Sequence, residues 1–501
     1  MNMHADEKSD EVIVPEKQPN KGSLLPAEAV EGRTSPKGNG GQTAAVRTQS
    51  RAAASNGLAA VRQAARQSKE VRFTALLHHI TIDLLERSYY ALKRHSAPGI
   101  DGVTWRAYGE DLEAKLTELH ARVHRGGYRA RPARRSYIPK PDGTKRPLSI
   151  LCLEDKIVQQ AMVFVLEAIF EEDFLGFSYG FRPGRGPHDA LDALHAGIYR
   201  KRVNWVLDAD IQGFFDAMSH KWMLRFLRHR IADKRVLRLI AKWLKVGITD
   251  GDQAVRSSRG TPQGAVISPI LANIYLHYAF DLWSHVWRRK KASGDVIIIR
   301  YADDIVLGFQ YEHEARACWH DLQARMRKFG LALHPKKTRL IRFGRHAAKD
   351  RRRQGQGQGR PETFDFLGFT HFCTRSWITG AFVIGRRTIK KRMLARLQAI
   401  KMELRRRWHD PIAETGAWLN KVLTGHLNYF AVPLNARSVT WFFARVRDLW
   451  RRTLRRRSQR AYMNWEKMRR LVDLFFPPIR ILHPMPCHRF DARTRGRSPV
   501  R

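Results

Sequence analysis

The chain has 501 residues and an apolar fraction of 43%, enough for a large core and more than one domain, which excludes a chain disordered throughout. Lysine and arginine number 91 against 47 acidic residues, a formal charge of +44, and a surplus of that size repels itself unless a polyanion covers it. Nucleic acid suits the surplus better than an anionic membrane, because no stretch approaches the ~20 apolar residues of a spanning helix and the basic segments are interleaved with Trp, Tyr and Phe. The cysteines, Cys152, Cys318, Cys373 and Cys487, lie far apart and form no CxxC pair. That spacing argues against a zinc ribbon and fits a reducing compartment without disulfides.

In chain order, residues 1–70 lack periodic apolar positions and are rich in Ala, Ser, Gly, Gln and Arg, as in GNGGQTAAVRTQSRAAASN; they read as a disordered basic arm. No apolar h-region marks a secretory signal. The Arg, Ala and Ser content of 47–67 is similar to an organellar transit peptide, against which stands the acidic start MNMHADEKSDE. From Phe73 the pattern turns helical through an N-terminal extension over 71–125, and the glycines and proline of SAPGIDGVTW mark a loop. YIPKPDGTKRPLSI, within 126–200, reads as strand, turn and strand, with Lys140 and Arg146 flanking the turn PDGT.

WVLDADIQGFFD, residues 205–216, begins with a short apolar strand, Trp205 to Leu207, and Asp210 follows near its end. VIIIRYADDIVLGF, residues 296–309, sets Asp303 and Asp304 between two β-branched and aliphatic runs, the pattern of a tight hairpin with paired carboxylates at its tip. An exposed turn is the plain alternative. Buried without a cation, however, adjacent carboxylates are costly. Nucleotidyl transfer needs in-line attack of a 3′-hydroxyl on a phosphoryl group, and two Mg²⁺ ions ~3.5–4 Å apart stabilise the attacking and leaving oxygens. Asp210 with Asp303 and Asp304 supplies the hard oxygen ligands for such ions; Asp208 and Asp216 compete for the place of Asp210, and periodicity does not choose among them.

RRRQGQGQGR, at 351–360, reads as an exposed loop before a basic, aromatic-rich helical part. There Phe442, Val446, Leu449, Trp450 and Leu454 recur at helical spacing, while Arg445, Arg447, Arg451, Arg452, Arg455, Arg456 and Arg457 cover much of the remaining surface. One face packs, and the arginine faces await an anion, which we read as RNA. Residues 471–501 are too few for a nuclease domain, and their His and Cys lack paired-ligand spacing.

Taken together, several motifs carry a family resemblance. APGIDGVTW, YIPKPDGTKRPLSI, FLGFSYGFRPGRGPHDAL, DADIQGFFD, RGTPQGAVISPILANIYLH, RYADD, GLALHPKKTRL and FDFLGF occur in that order, and from about residue 97 onward the chain resembles a group II intron-encoded reverse transcriptase and maturase. The resemblance implies an α+β right-hand polymerase: fingers over 126–200, a palm with an antiparallel sheet over 201–388 and a loop insertion at 346–361, an α-helical thumb and maturase domain over 389–475, and a basic tail over 476–501. It implies Asp210, Asp303 and Asp304 as ligands of two Mg²⁺ ions, with the Ile211 carbonyl as an extra ligand and Asp216 as structural. It further implies that Phe215 gates the ribose 2′ position, that Gln263 in TPQG contacts the nucleotide, and that Lys140 and Arg146 meet the triphosphate.

Lys337 in HPKKT is the general acid on this reading, with Lys336 the alternative and a plain basic loop the bland one. Phe215 as a core residue, and solvated charges at Lys140 and Arg146, are the bland readings of those positions. Where the family commonly has a second glycine the chain has Ala265, which puts the geometry of that loop in doubt. The implied partners are intron RNA, target DNA, the template-primer duplex and dNTPs, with no membrane and with a homodimer left open, in the cytoplasm of a bacterium at the nucleoid or, as the lesser alternative, in an organelle. A domesticated reverse transcriptase and a splicing-only RNA chaperone are the competing functions.

Overall fold

The computed structural model describes residues 57–494 apart from 140–144, 247, 251–252, 256–258, 348–360, 377–378 and 458–462. Residues 1–56 of the arm, Lys140 and the loop 351–360 therefore lie outside the described residues.

The sheet that positions the site runs in the order Val296–Tyr301, Asp304–Phe309, Trp205–Asp210, Arg339–Arg342, every neighbour antiparallel. Apart from the edge strand Arg339–Arg342, its strands carry apolar runs because both faces are covered. Ile298, Leu307 and Leu207 face one buried cluster with the helix Leu153–Phe170, and Ile297, Ile299, Val306 and Val206 face a second with the helix Pro187–Arg200. The sheet is thus a middle layer between two cores, and only its ends reach solvent.

A second four-stranded sheet joins Lys145–Ile150, Ala133–Pro139, Ile248–Asp250 and Gln253–Val255, with one parallel pair, Ala133–Pro139 on Ile248–Asp250. A third, of Phe364–Phe366, Phe369–Arg375 and Phe382–Thr388, leads into four helices, Lys390–Arg406, Ile412–Phe430, Ala436–Arg455 and Trp465–Phe475. These bury Leu397, Leu404, Leu423, Val446, Trp450 and Met468 in a cluster of their own. In Ala436–Arg455 the buried positions Val439, Phe442, Phe443, Val446, Trp450 and Leu454 form the single stripe expected of a helix packed on one side. The architecture is the mixed helix and antiparallel-sheet type expected from the sequence.

Two segments are more ordered than composition suggested. Residues 57–67, read as part of the arm, form a helix that buries Val61, Ala64 and Ala65. Its C-terminal end is held by Arg230, whose guanidinium donates to the carbonyls of Ala65, Ser68 and Val71 at 3.1, 3.0 and 3.2 Å. The basic tail folds as the helix Pro486–Thr494, which returns to Pro187–Arg200. Phe490 is buried there, Arg489 pairs with the buried Asp192 at 2.6 Å, and Arg200 grips Asp491 through two hydrogen bonds of 2.8 and 2.7 Å.

Candidate active site

Asp210 is the last residue of its strand and stands in register with Asp304, the first residue of the next. Asp303 sits in the two-residue turn between Val296–Tyr301 and Asp304–Phe309. The three aspartates therefore gather at one end of the strands, where the flanking apolar runs stop. Asp208 lies two residues back on the face of Asp210, since side chains alternate along a strand.

Residues 331–338 cross this end of the strands. His334 N–H donates to the Asp210 carbonyl at 2.7 Å and Gln212 N–H to the Ala332 carbonyl at 2.8 Å, making the bridge between Ile211 and Leu333. Those bonds run through the neighbours of Ile211, so its own carbonyl is not spent on the bridge. The same crossing brings the Lys337 ammonium to 2.8 Å from Asp210 Oδ2, while Lys336 is exposed with its N–H turned to the His334 ring at 3.2 Å.

Mutual repulsion is visible in the carboxyls. Asp304 is exposed to solvent, yet the protein around its carboxyl pushes its pKa up to about 6, first by desolvation and then by the charges of Asp303 and Asp210. Asp208 is raised to about 7, chiefly by burial, with Asp304 and Asp210 adding and Arg339 opposing. Among the described residues no three His, Cys, Asp or Glu side chains are close enough together to close around one ion. The donor set nevertheless suits a hard divalent cation that takes part of its shell from water and phosphate oxygens: clustered carboxylates, one of them paired with an exposed ammonium.

Two of the other expected nucleotide contacts, Phe215 and Gln263, meet at a single loop. Gly260 N–H donates to Met218 O and Thr261 N–H to Phe215 O at 2.7 and 2.8 Å, docking TPQG on the helix Phe214–Ala217. Gln263 O accepts from Ser149 N–H at 2.6 Å, tying the same loop to the strand Lys145–Ile150. Gly264 has φ +107, and a Cβ there would meet the Ser149 carbonyl at 2.7 Å, so glycine is required. At the next position no positive φ is needed: the Ala265 methyl packs with Ala133 and Leu151, so the departure from the family pattern leaves the loop intact. Gln263 Nε2 lies 3.3 Å from Asp216, which gives Asp216 a positioning contact. Phe215 is half-buried with its ring 5.4 Å from Phe214, so one side packs and one is open. Arg146 pairs with Ile138 in its hairpin; its side chain, like Lys140, is outside the described residues.

The cationic surface divides. Arg451 lies over Trp465 at 3.9 Å and Arg447 at 4.9 Å, while Arg445 covers Trp441 at 5.3 Å and approaches Asp448 at 3.7 Å. Arg457 is half-buried near the Arg407 carbonyl, whereas Arg452, Arg455 and Arg456 are exposed. A groove between Lys390–Arg406 and Ala436–Arg455 has an apolar floor at Leu394 and Trp441 and cations at Lys391, Lys401, Arg445 and Arg452. In the fingers-like motif, Arg182 is not open to a ligand: it is buried on Glu171 at 2.9 Å, and Arg185 donates to the Gly176 carbonyl at 2.6 Å.

Residues 138–371, which hold every one of these aspartates, match the reverse transcriptase (RNA-dependent DNA polymerase) family. The chain is 36% identical over 192 residues to the group II intron-encoded protein LtrA of Lactococcus lactis, which is 38% of this chain and 31% of that protein. Over this region the chain is similar to group II intron-encoded proteins. It is also similar to protein YkfC of Escherichia coli, 40% identical over 191 residues covering 38% of this chain and 50% of that one. A 91 kDa protein in the cob intron of Schizosaccharomyces pombe is 43% identical over 146 residues, 29% of this chain and 18% of that one. The match thus spans half or less of the length of these relatives. Among the described residues no helix is long and apolar enough to cross a membrane.

Proposed function

We propose that this protein is an RNA-directed DNA polymerase and maturase that binds a group II intron RNA, assists its splicing and copies it into DNA during intron mobility. The observation that carries the reading is the register of Asp210 with Asp304, Asp303 in the adjoining turn, inside the matched region. On this reading the chain is a right hand: the hairpin of Ala133–Pro139 and Lys145–Ile150 serves as fingers, the aspartate-bearing sheet as palm, and the helices from Lys390 as thumb and maturase domain.

Asp210, Asp303, Asp304 and the Ile211 carbonyl would hold two Mg²⁺ ions, which when bound neutralise charge on the attacking and leaving oxygens. Lys337 carries the proton to the leaving pyrophosphate, presented by Asp210. Phe215 offers its open side to the ribose 2′ position, and Gln263 on its anchored loop meets the incoming nucleotide. Lys140 and Arg146 take the triphosphate. The exposed arginines Arg452, Arg455 and Arg456, with Arg445 at the groove, meet RNA phosphates, while the template-primer duplex and target DNA lie between the two halves of the hand.

Purified protein should extend a DNA primer on an RNA template with Mg²⁺, and Asp303→Ala should abolish extension. Extension that survives substitution of Asp303 and Asp304 together would remove the metal assignment. A splicing-only chaperone would show no extension in the wild type either.

A further inference from the structure

Within the apolar run VIIIRY one residue breaks the pattern: Arg300 is fully buried. Its guanidinium is engaged at every side. Nε and Nη2 meet the two oxygens of Asp281 at 2.7 and 2.6 Å, Nη2 also meets Ser178 Oγ at 2.7 Å, and Nη1 donates to Asn273 Oδ1 at 3.0 Å and to the Ala302 carbonyl at 3.1 Å. Asp281 and Asn273 are as buried as the arginine. A buried charge without such partners is costly, so a network this complete holds one arrangement.

What it holds is the turn. Ala302, the residue before Asp303, has φ +56, a left-handed conformation that L residues other than glycine rarely adopt. It is kept there from two sides. Arg300 takes its carbonyl, and Gly180 packs so close to its amide that any Cβ at 180 would collide with Ala302. Asn273 joins the two sides, accepting from Arg300 and donating from Nδ2 to the Gly180 carbonyl at 2.8 Å. The backbone of 177–179 adds to the same edge, with Tyr179 N–H on the Arg300 carbonyl at 2.8 Å and Arg300 N–H on the Phe177 carbonyl at 2.9 Å.

We infer that Arg300, fixed by Asp281 and Asn273, is a positioning residue that sets the Ala302 turn and through it the direction of the Asp303 carboxylate. The inference rests on the polymerase reading above. It assigns to a chain segment that touches no substrate the task of presenting a ligand, as partners behind a metal ligand do elsewhere. Arg300→Lys keeps the charge but loses the planar fork that spans Asp281, Asn273 and Ala302 at once. Asn273→Ala leaves the Arg300–Asp281 ion pair whole while removing both the bond from Arg300 Nη1 and the link to Gly180, and serves where the lysine variant does not fold.

The experiment is Mn²⁺ binding followed by electron paramagnetic resonance on full-length protein with a poly(rA)·oligo(dT) template-primer, beside primer extension and melting temperature. In folded Arg300→Lys or Asn273→Ala, Mn²⁺ affinity should fall by roughly 10- to 100-fold, extension should recover at high Mn²⁺, and KM for the nucleotide should hold. Folded variants that bind Mn²⁺ as the wild type does overturn the inference and leave the polymerase reading intact. A wild type that binds Mn²⁺ but never extends a primer removes the polymerase reading instead. If the wild type binds no Mn²⁺, both fall.

Discussion

Lys337 Nζ stands 2.8 Å from Asp210 Oδ2 on a side chain that is itself 63% exposed, so the protein's own ammonium touches the aspartate to which the proposed function gives a divalent ion. A pair this open to water contributes little to stability, at most about 1 kcal/mol. It is easily exchanged for a stronger cation.

Lys337→Ala should therefore have two opposite effects in steady-state extension. The Mg²⁺ needed for half-maximal rate should fall, because a competitor for Asp210 is gone. The maximal rate should fall by about 100-fold or more, the usual loss when a general acid is removed. A lysine that merely decorates the loop would change neither, and Lys336→Ala is the internal control.

Phe215→Ala should raise ribonucleotide incorporation more than it lowers deoxynucleotide use, because the open side of the ring is the part removed. The ring also packs on Phe214, so melting temperature should drop too. Competition between a dNTP and the matching rNTP at one template position reads the first effect. An unchanged ratio with a lowered melting point would return Phe215 to the core.

Exposed and stacked arginines should separate in RNA binding. Converting Arg452, Arg455 and Arg456 to Gln should lower affinity for the parent intron and flatten the slope of log K against log salt by about 2 to 3, at roughly 0.7–0.9 for each phosphate that is no longer neutralised. Arg451→Gln, which strips a cation from the face of Trp465, should cost mainly thermal stability. Asp303→Ala should still bind the intron and help it splice. Normal splicing by the arginine variant with failure of the aspartate variant would reverse this division of labour.

His195 gives a pH prediction with a definite sign. Burial first, and then Arg386 on the strand Phe382–Thr388, lower its pKa to about 3; His371 on Phe369–Arg375 also faces it. Neither state protonates it above about 6.5, and below that only the unfolded chain does, so stability is lost as pH falls. Between pH 6 and 4 this one group should contribute a loss that approaches about 1.4 kcal/mol per pH unit. Unfolding free energies from urea titrations of the wild type and His195→Phe should diverge with pH by that slope; parallel lines would show that the ring is charged inside the fold.

The aspartate cluster was legible in the sequence because charge interrupts apolar strand runs there, and such interruptions are local. Periodicity does not choose between Asp210 and Asp208, since both occupy one face; the choice of Asp210 comes from the family resemblance, and in the fold Asp210 is the one in register with Asp304. Arg300 is hidden in the sequence for a different reason. Beside RYADD it looks like one more cation of a basic chain, and its burial is decided by Asp281, Asn273 and Ser178, which come from two other segments. The helix over 57–67 was hidden by its small residues, which need only Val61, Ala64 and Ala65 buried once Arg230 caps the end. Arg451 counted as part of an even arginine face because Trp465 belongs to the next helix.

The return of Pro486–Thr494 onto Pro187–Arg200 has a mechanical result. The helices from Lys390 to Phe475 are anchored at both ends, by the strand Phe382–Thr388 before them and by this buckle after them. A segment fastened twice does not swing as a pendant arm; it yields by bowing between its fastenings, and outward movement of its helices loads the Arg489 pair with Asp192 at 2.6 Å. That aspartate also holds Arg386 at 3.2 Å in the strand that begins the segment. One carboxylate thus pins both ends of the span, and strain arriving at either is shared with the other.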